Sequence, residues 1–311
     1  MSQSKLLKEI LALCHDAQLQ RLYALFFIAL SEGSLERCEN RLMLIRPPHQ
    51  DFGILRQPYA NPVPVEDVAI ETEITLQQDL TFNVNGVQFR MKYVDGGSFM
   101  MGAVDNDTEA YEWERPRHSV TLDSYYIAET QVTQELWQAV MGSNPSYFEG
   151  DIHRPVEWVS WNDCQEFIKK LNTITGRTFS LPTEAQWEYA ARGGKKSKGY
   201  KFSGSNNLGD VAWYKENSNN TTHPVAQKQS NELGLYDMTG NVWEWCQDWF
   251  NGAYYANSPQ NNPQGPSSGV IRVLRGGSWF NGPGGCRVSY HDGDLPDYRG
   301  DYGGLRLSLP V

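Results

Sequence analysis

Residues 275–307 are RGGSWFNGPGGCRVSYHDGDLPDYRGDYGGLRL, and the rest of the chain is organised around this stretch. Its first part, Arg275–Trp279, follows a β-like run at 270–274, which predicts a strand that breaks into a tight glycine turn. Its end, Leu305–Leu309, alternates between apolar and polar residues and predicts the last strand. The tract between these ends, residues 280–303, follows neither a helical nor a strand period.

The composition of the tract is its most informative feature. It is rich in Gly, Asp and Tyr, and it contains no Lys, Glu, Gln, Met or Trp. An Asn codon that mutates freely at its two adenines can become Phe, Tyr, His, Asp or Gly, but none of the five missing types. The composition also suits a binding surface, because Tyr and Phe give stiff contact area while Gly, Ser, Asn and Asp adapt their hydrogen bonds. The alternative is an ordinary Gly/Asp-rich surface loop.

The overall composition excludes several classes of protein. The 311 residues carry a formal net charge of −10, from 37 acidic and 27 basic residues. This excess of acid argues against a nucleic acid or an anionic membrane as partner. The 5 cysteines and 6 histidines form no CxxC, HExxH or zinc-type spacing, so a histidine-based metal centre is not expected.

The N-terminal part predicts a separate helical segment. Residues 1–65 are expected to form a helical hairpin and a Pro-rich linker, because 4–31 carry an apolar helical stripe and prolines follow it. The apolar run LYALFFIAL at 22–30 is too short to cross a bilayer. Glu9 and Asp16 interrupt any signal sequence. We therefore expect no transmembrane segment and no signal peptide.

Residues 66–311 are predicted to form the main domain. Polar and apolar residues alternate from Val68 onward, with Asn85-Gly86 as a hairpin turn. A helix is predicted at 130–142, capped by Thr130 or Thr133. Two central helices follow, at 161–172 after a Ser160 cap and at 183–192, where Thr183-x-x-Gln186 is a capping box. The predicted class is α+β, irregular, with two central helices and short antiparallel strands.

Seven motifs occur along this domain in a fixed order. They are Gly96–Gly102 (GGSFMMG), Glu114–Pro116 (ERP), Val132–Thr133 (VT), Pro155–Trp161 (PVEWVSW), Leu181–Gly193 (LPTEAQWEYAARG), Gly234–Trp245 (GLYDMTGNVWEW) and Arg275–Trp279 (RGGSW). Over residues 90–309 the series resembles the formylglycine-generating-enzyme (sulfatase-modifying factor) domain. The resemblance implies a C-type-lectin-like fold with extra loops.

The resemblance also implies where catalytic residues would lie. The namesake enzymes oxidise a substrate cysteine with two cysteines downstream of the RGGS motif, and the corresponding residues here are Asn281 and Cys286. That chemistry needs a pair of thiolates to hold copper and activate oxygen, which Asn281 cannot supply. We therefore expect no catalytic residues and no required cofactor.

A structural Ca²⁺ is a further implication of the resemblance. In relatives an Asn and a Glu of the GNVWEW motif help to bind calcium, and Asn241 and Glu244 match them. Oxygen ligands suit this hard cation. The alternative is that the two side chains satisfy a buried turn.

One branch of the same family consists of the variable proteins of diversity-generating retroelements, in which adenine-directed mutagenesis rewrites Asn-rich codons near the C-terminus. The tract is similar to theirs. The resemblance implies ligand-binding variable positions, with His291 an ambiguous member, at Phe280, Asn281, Gly282, Gly285, Tyr290, His291, Asp292, Gly293, Asp294, Leu295, Tyr298, Gly300, Asp301 and Tyr302. Framework positions would be Arg287, Pro296, Asp297, Arg299, Gly304 and Arg306.

The predicted function is therefore a non-enzymatic ligand-binding protein with a diversified C-terminal surface. The expected ligand is an unknown selected protein or cell-surface molecule, with the aspartates favouring cationic or hydrogen-bond-donating groups. The resemblance implies a bacterial protein at the cell surface or outside the cell, and we expect a monomer. Two alternatives stay open: an oxidase of the formylglycine-generating type with altered residues, and a pseudoenzyme or accessory protein with a fixed partner.

Overall fold

The computed structural model describes residues 78–311. The chain divides into two units, Met1–Thr72 and Glu73–Val311, and the described residues belong to the second. The predicted hairpin and linker at residues 1–65, and the predicted domain boundary at residue 66, lie outside the described residues.

Residues 78–311 contain ten short strands arranged in three sheets. The sheet orders are β1-β2-β5-β10, β3-β4 and β8-β7-β6-β9 for the strands β1 (Leu80–Val84), β2 (Val87–Val94), β3 (Gly97–Met101), β4 (His118–Leu122), β5 (Tyr125–Ala128), β6 (Trp243–Trp249), β7 (Arg272–Arg275), β8 (His291–Asp294), β9 (Gly303–Gly304) and β10 (Ser308–Pro310). Neighbouring strands are antiparallel, except that β6 and β9 are parallel.

The helices of the described residues are few and short. They are α1 (Gln134–Met141), α2 (Trp161–Thr175), α3 (Glu184–Ala191) and α4 (Leu208–Val211), with 3-10 turns at Glu112–Glu114, Gly194–Lys196, Tyr254–Asn257 and Pro283–Cys286. None of the helices in this part of the chain is long and apolar enough to cross a membrane.

Side-chain caps start the three longer helices where the sequence predicted them. Ser160 caps α2 by accepting a hydrogen bond from the Asp163 N–H. Thr183 caps α3 within the predicted capping box. Of the two candidate caps for α1, the structure uses Thr133. The helix was predicted to begin at residue 130, but residues 130–133 are not helical. The Val132 N–H donates to the Leu305 carbonyl instead.

The β1–β2 hairpin turns at the predicted pair of residues. Asn85 has φ +52° and Gly86 has φ +92°, the combination that a two-residue hairpin turn requires. This prediction is confirmed.

The C-terminal strands differ in detail from the prediction. The strand expected at 270–274 is β7, two residues later than predicted, and the one expected at 305–309 begins only at Ser308. Part of the tract is also a strand, since β8 pairs with β7 in the register His291↔Arg275. The sequence HDGD has low strand propensity, so the pairing with β7 determines its conformation.

The core lies between these sheets and helices. Helix α2 contributes an apolar face of the i, i+3, i+4, i+7 type, made of Cys164, Phe167, Ile168 and Leu171, all buried. The Trp137 ring of α1 stacks on the Phe167 ring at 4.8 Å. Residues on both sides of the tract pack in this core, Leu274 before it and Leu305 and Leu307 after it. The core therefore anchors both ends of the tract.

Candidate ligand-binding surface

Two buried arginines hold the ends of the tract. The Arg275 guanidinium donates to the Glu188 carboxylate at 2.6 Å and to the Glu184 carboxylate at 3.1 Å. The Arg306 guanidinium donates to both oxygens of Glu244 at 2.9 Å. All five side chains are buried, so each positive charge is neutralised where water is absent.

A third buried arginine lies inside the tract. Arg287 makes a bidentate ion pair with Glu114, with both N–O distances at 2.7 Å, and also donates a hydrogen bond to the Ser289 hydroxyl. Arg287 and Glu114 are both almost fully buried. The hydrogen bonds and opposite charges raise the pKa of Arg287. Arg287 therefore divides the tract into segments that are each tied to the core, as expected of a framework residue.

The RGGS turn that opens the tract depends on glycine. Gly276 and Gly277 have φ of +98° and +73°, a backbone region that L side chains rarely adopt. A Cβ on Gly277 would lie 2.7 Å from the Gly285 carbonyl oxygen and 2.8 Å from the Cys286 Sγ. The Asn281 carboxamide oxygen closes the turn by accepting from the Ser278 N–H at 3.0 Å and from its hydroxyl at 2.7 Å.

Most of the predicted variable positions reach the surface. Four of them are exposed: Phe280, Asp292, Leu295 and Tyr298. Eight more are partly exposed: Asn281, Gly282, Gly285, Tyr290, Gly293, Asp294, Asp301 and Tyr302. These residues supply the side chains and the open backbone that a ligand could touch.

Two predicted positions are wrong as surface contacts. His291 is buried, with its Nδ1 bonded to the Glu184 carboxylate and its Nε2 3.0 Å from the Trp113 carbonyl oxygen. Its side chain therefore belongs to the network around Arg275, on the core face of β8. Gly300 is also buried, and its carbonyl accepts from the Trp158 N–H at 3.0 Å. Both residues support the tract from inside.

Three aromatic rings of the tract pack side by side at the surface. The Phe280 ring lies 5.1 Å from the Tyr302 ring, which lies 6.1 Å from the Tyr298 ring. The Trp279 indole N–H donates to the Asp301 carbonyl at 3.0 Å and joins the two ends of the tract. Side chains from both ends therefore form one aromatic surface.

An open cleft of about 650 Å³ lies beside the tract. It is lined by Glu109, Tyr111, Asn281, Pro283, Gly284, Gly285 and Tyr290. The Tyr111 ring stacks on Trp113 at 4.4 Å and faces Tyr290 at 5.7 Å. Glu109 and Tyr111 were not predicted as part of this site. They lie beside the tract because Arg287 pairs with Glu114, which is distant from it in the chain.

The surface of the tract carries uncompensated negative charge. Its two arginines are already paired, Arg287 with Glu114 and Arg299 with Asp163. No ion pair within residues 78–311 involves the aspartates of the tract, which are Asp292, Asp294, Asp297 and Asp301. The site therefore favours cationic groups on a ligand.

The residue at the second expected cysteine position does not have the properties of a nucleophile. Cys286 is buried, and desolvation raises the pKa of its thiol to about 12. Near neutral pH this thiol is protonated, whereas nucleophilic and metal-binding cysteines act as thiolates. Asn281, at the first position, uses its carboxamide to close the RGGS turn.

The side-chain oxygens of Asn241 and Glu244 already accept hydrogen bonds from groups of the chain. Both oxygens of Glu244 accept from the Arg306 guanidinium, and Trp187 donates to one of them at 2.6 Å. The Asn241 carboxamide accepts from the His223 N–H and donates to its carbonyl. These contacts favour the alternative of a satisfied buried turn, and no acidic, His or Cys cluster suited to a metal occurs in the described part of the chain. A calcium site there stays a prediction for metal titration.

The comparison with known families agrees with this geometry. The model of the sulfatase-modifying factor enzyme 1-like domain (FGE-sulfatase) matches residues 83–309. The chain belongs to this family. The predicted α+β, C-type-lectin-like fold of the formylglycine-generating-enzyme type is confirmed.

Proteins with different names are similar to this chain. The solved structure of Treponema denticola variable protein 1 superposes with a TM-score of 0.69 at 36% identity, covering 75% of this chain and 99% of that one. PvdO from Pseudomonas aeruginosa gives a TM-score of 0.65 at 25% identity, covering 75% and 98%. The formylglycine-generating enzyme of Streptomyces coelicolor is 32% identical, covering 65% of this chain and 83% of its own.

Proposed function

We propose that this protein is a non-enzymatic ligand-binding protein whose tract 280–303 is the contact surface. We further propose that a retroelement diversifies the codons of the exposed positions in this tract. The observation that carries the proposal is the division of the tract into side chains that face solvent and side chains that are buried in ion pairs with the core.

This division makes diversification compatible with folding. Replacement of an exposed residue such as Phe280, Leu295 or Tyr298 is expected to change the free energy of unfolding by no more than about 0.5 kcal/mol. Replacement of Arg287 would leave the buried Glu114 unpaired, which is far more costly. Retained stability with changing contacts is what a variable binding protein requires.

The similarity to Treponema denticola variable protein 1 supports the proposal. It extends over 99% of that chain at 36% identity, so the correspondence includes the C-terminal region as well as the general fold. The tract here also keeps the residue types that mutated Asn codons supply.

An oxidase of the formylglycine-generating type is the competing function, favoured by the 32% identity to the Streptomyces coelicolor enzyme. The residues of this site argue against it, because Asn281 offers no thiolate and the Cys286 thiol is protonated at neutral pH. We expect no copper-dependent oxygen consumption with a cysteine-containing peptide. Conversion of that cysteine to formylglycine would overturn the non-enzymatic proposal.

The ligand we propose is a protein or cell-surface molecule, met at the surface of a bacterium or outside it. An exposed, partly aromatic surface of this kind suits a macromolecule better than a small metabolite. Labelling of intact cells with a membrane-impermeant amine reagent tests the location. Labelling only after cell lysis would contradict it.

Two displayed libraries test the binding proposal directly. The first varies Phe280, Asp292, Leu295 and Tyr298 with the codons that mutated Asn codons produce, and the second varies the buried Arg275, Arg287 and Arg306 in the same way. We expect most members of the first library, and few of the second, to resist protease. We also expect the first library to yield binders for an unrelated target protein. Equal loss of folding in both libraries would contradict the proposal.

A further inference from the structure

Two large aromatic side chains outside the tract are unusually exposed. Tyr147 is 66% exposed and Trp158 is 43% exposed. Their rings lie 6.2 Å apart and are nearly parallel, with 27° between their planes. Neither residue belongs to the predicted variable positions, and no local pattern in the sequence places them near the tract.

Ring contacts join this pair to the aromatic surface of the tract. Tyr147 contacts Phe148 at 5.1 Å, Phe148 contacts Trp279 at 5.4 Å, and Trp279 contacts Phe280 at 5.4 Å. The contacts then continue from Phe280 to Tyr302 and Tyr298. We call this continuous set the aromatic strip: Trp158, Tyr147, Phe148, Trp279, Phe280, Tyr302 and Tyr298.

The framework fixes the part of the strip that lies outside the tract. Trp158 has φ +63°, which is uncommon for a bulky residue and clusters at functional sites. Its N–H donates to the Gly300 carbonyl at 3.0 Å. The preceding residue, Glu157, is buried and accepts from the Phe148 N–H at 2.8 Å. These contacts hold the Trp158 backbone against the tract and the Phe148 backbone, next to Tyr147, against Glu157.

Carboxylates are close to the strip in the chain. Glu149 and Asp151 follow Phe148, and Asp294 and Asp301 lie in the tract, where Asp301 directly precedes Tyr302. No ion pair in the described part of the chain involves these four carboxylates. Aromatic faces attract cations within about 6 Å of the ring centroid, and nearby carboxylates reinforce that attraction.

We infer that Tyr147 and Trp158 are constant contact residues that extend the binding surface beyond the tract, and that the aromatic strip takes an arginine- or lysine-bearing segment of a protein partner. This inference rests on the proposed binding function. In this arrangement the constant residues Tyr147 and Trp158 supply affinity for a basic segment. The tract supplies selectivity among such segments.

The test uses the full chain and a fluorescent oligoarginine peptide, with binding measured by fluorescence anisotropy. We expect the unmodified protein to bind this peptide and not an oligoglutamate peptide of the same length. Tyr147→Ala and Trp158→Ala should each weaken binding about 3- to 30-fold, the range that cation–π contacts produce. Trp158→Tyr should retain most of the affinity, because it keeps an aromatic face at the same position.

Two further variants separate the possible failures. Ile174→Ala removes an exposed apolar residue of α2 outside the strip and should bind as the unmodified protein does. Tyr302→Ala tests the tract itself. If Tyr302→Ala weakens binding while Tyr147→Ala and Trp158→Ala do not, the inference fails and the proposed function stands.

The opposite pattern, with loss only in the Tyr147 and Trp158 variants, would support the constant contacts and count against the tract. Absence of oligoarginine binding by the unmodified protein would overturn the basic partner. Equal urea midpoints of all variants ensure that a loss of binding is not a loss of folding.

Discussion

Replacing Arg287 by methionine tests whether the stability of the fold depends on a buried residue inside the tract. Methionine replaces the apolar stem of the arginine, but it has no guanidinium group and cannot neutralise Glu114. The two are joined by a pair of 2.7 Å hydrogen bonds, and the carboxylate is fully buried. In the variant, Glu114 keeps the Ser289 hydroxyl and the Tyr111 N–H as donors. It loses the two hydrogen bonds from the cationic Arg287 guanidinium.

The expected loss is large because the remaining charge stays out of water. Removing one member of a buried ion pair costs about 3–5 kcal/mol of unfolding free energy. With a urea m-value of about 3 kcal/mol/M, this corresponds to a fall in the unfolding midpoint of about 1–1.7 M. The control Tyr298→Ser changes an exposed residue of the same tract and should stay within about 0.5 kcal/mol.

Urea unfolding followed by tryptophan fluorescence measures these differences. The double variant Arg287→Met with Glu114→Gln removes both charges and should recover at least half of the lost free energy, because no charge is then buried alone. If Arg287→Met unfolds at the same midpoint as Tyr298→Ser, the division of the tract into framework and surface is wrong.

Three other perturbations have defined outcomes. Gly277→Ala should destabilise by more than about 1 kcal/mol, because of its positive φ and the 2.7 Å approach to Gly285, while Gly282→Ala, which meets no atom within 4 Å, should be nearly neutral in the same unfolding assay. Burial raises the pKa of Asp248 to about 8. Between about pH 4 and 8 the folded state therefore keeps a proton on Asp248 that the unfolded chain releases. The contribution of Asp248 to the free energy of unfolding falls as the pH rises through this range. Asp248→Asn should flatten the measured pH dependence of unfolding by up to about 1.4 kcal/mol per pH unit across that window, and an unchanged slope would contradict the burial of this carboxyl. Alkylation with iodoacetamide at pH 8, read by peptide mass spectrometry, should leave Cys286 unmodified in the folded protein and label it after denaturation.

Local signals in the sequence predicted much of the fold. Ser160 and Thr183 cap their helices as predicted, because the capping residues and their partners lie three positions apart. The turn at Asn85-Gly86 was also predictable, because the two neighbouring residues by themselves favour a hairpin turn. By contrast, β8 was missed because its strand conformation comes from pairing with β7, which no local pattern reveals.

The candidate site was predicted less completely. The resemblance implied a set of variable positions in the tract, but not which of them face the core. His291 is buried because Glu184, more than a hundred residues earlier in the chain, provides its partner. Arg287 and Glu114 are separated by 173 positions. Tyr147 and Trp158 join the surface through ring contacts and through the hydrogen bond from the Trp158 N–H to the Gly300 carbonyl, which form only in the folded chain.

The DNA around the end of the gene gives the most direct test of a diversified binding surface. We expect a near-identical repeat of the last coding segment close by, together with a reverse transcriptase gene. The repeat should differ from the coding copy only where the repeat has adenine, and the differences should fall in codons for exposed positions such as Phe280, Asp292 and Tyr298, while the codons for Arg287 and Arg306 agree. Absence of such a repeat, or differences spread over the buried arginines, would contradict diversification and favour a pseudoenzyme with a fixed partner.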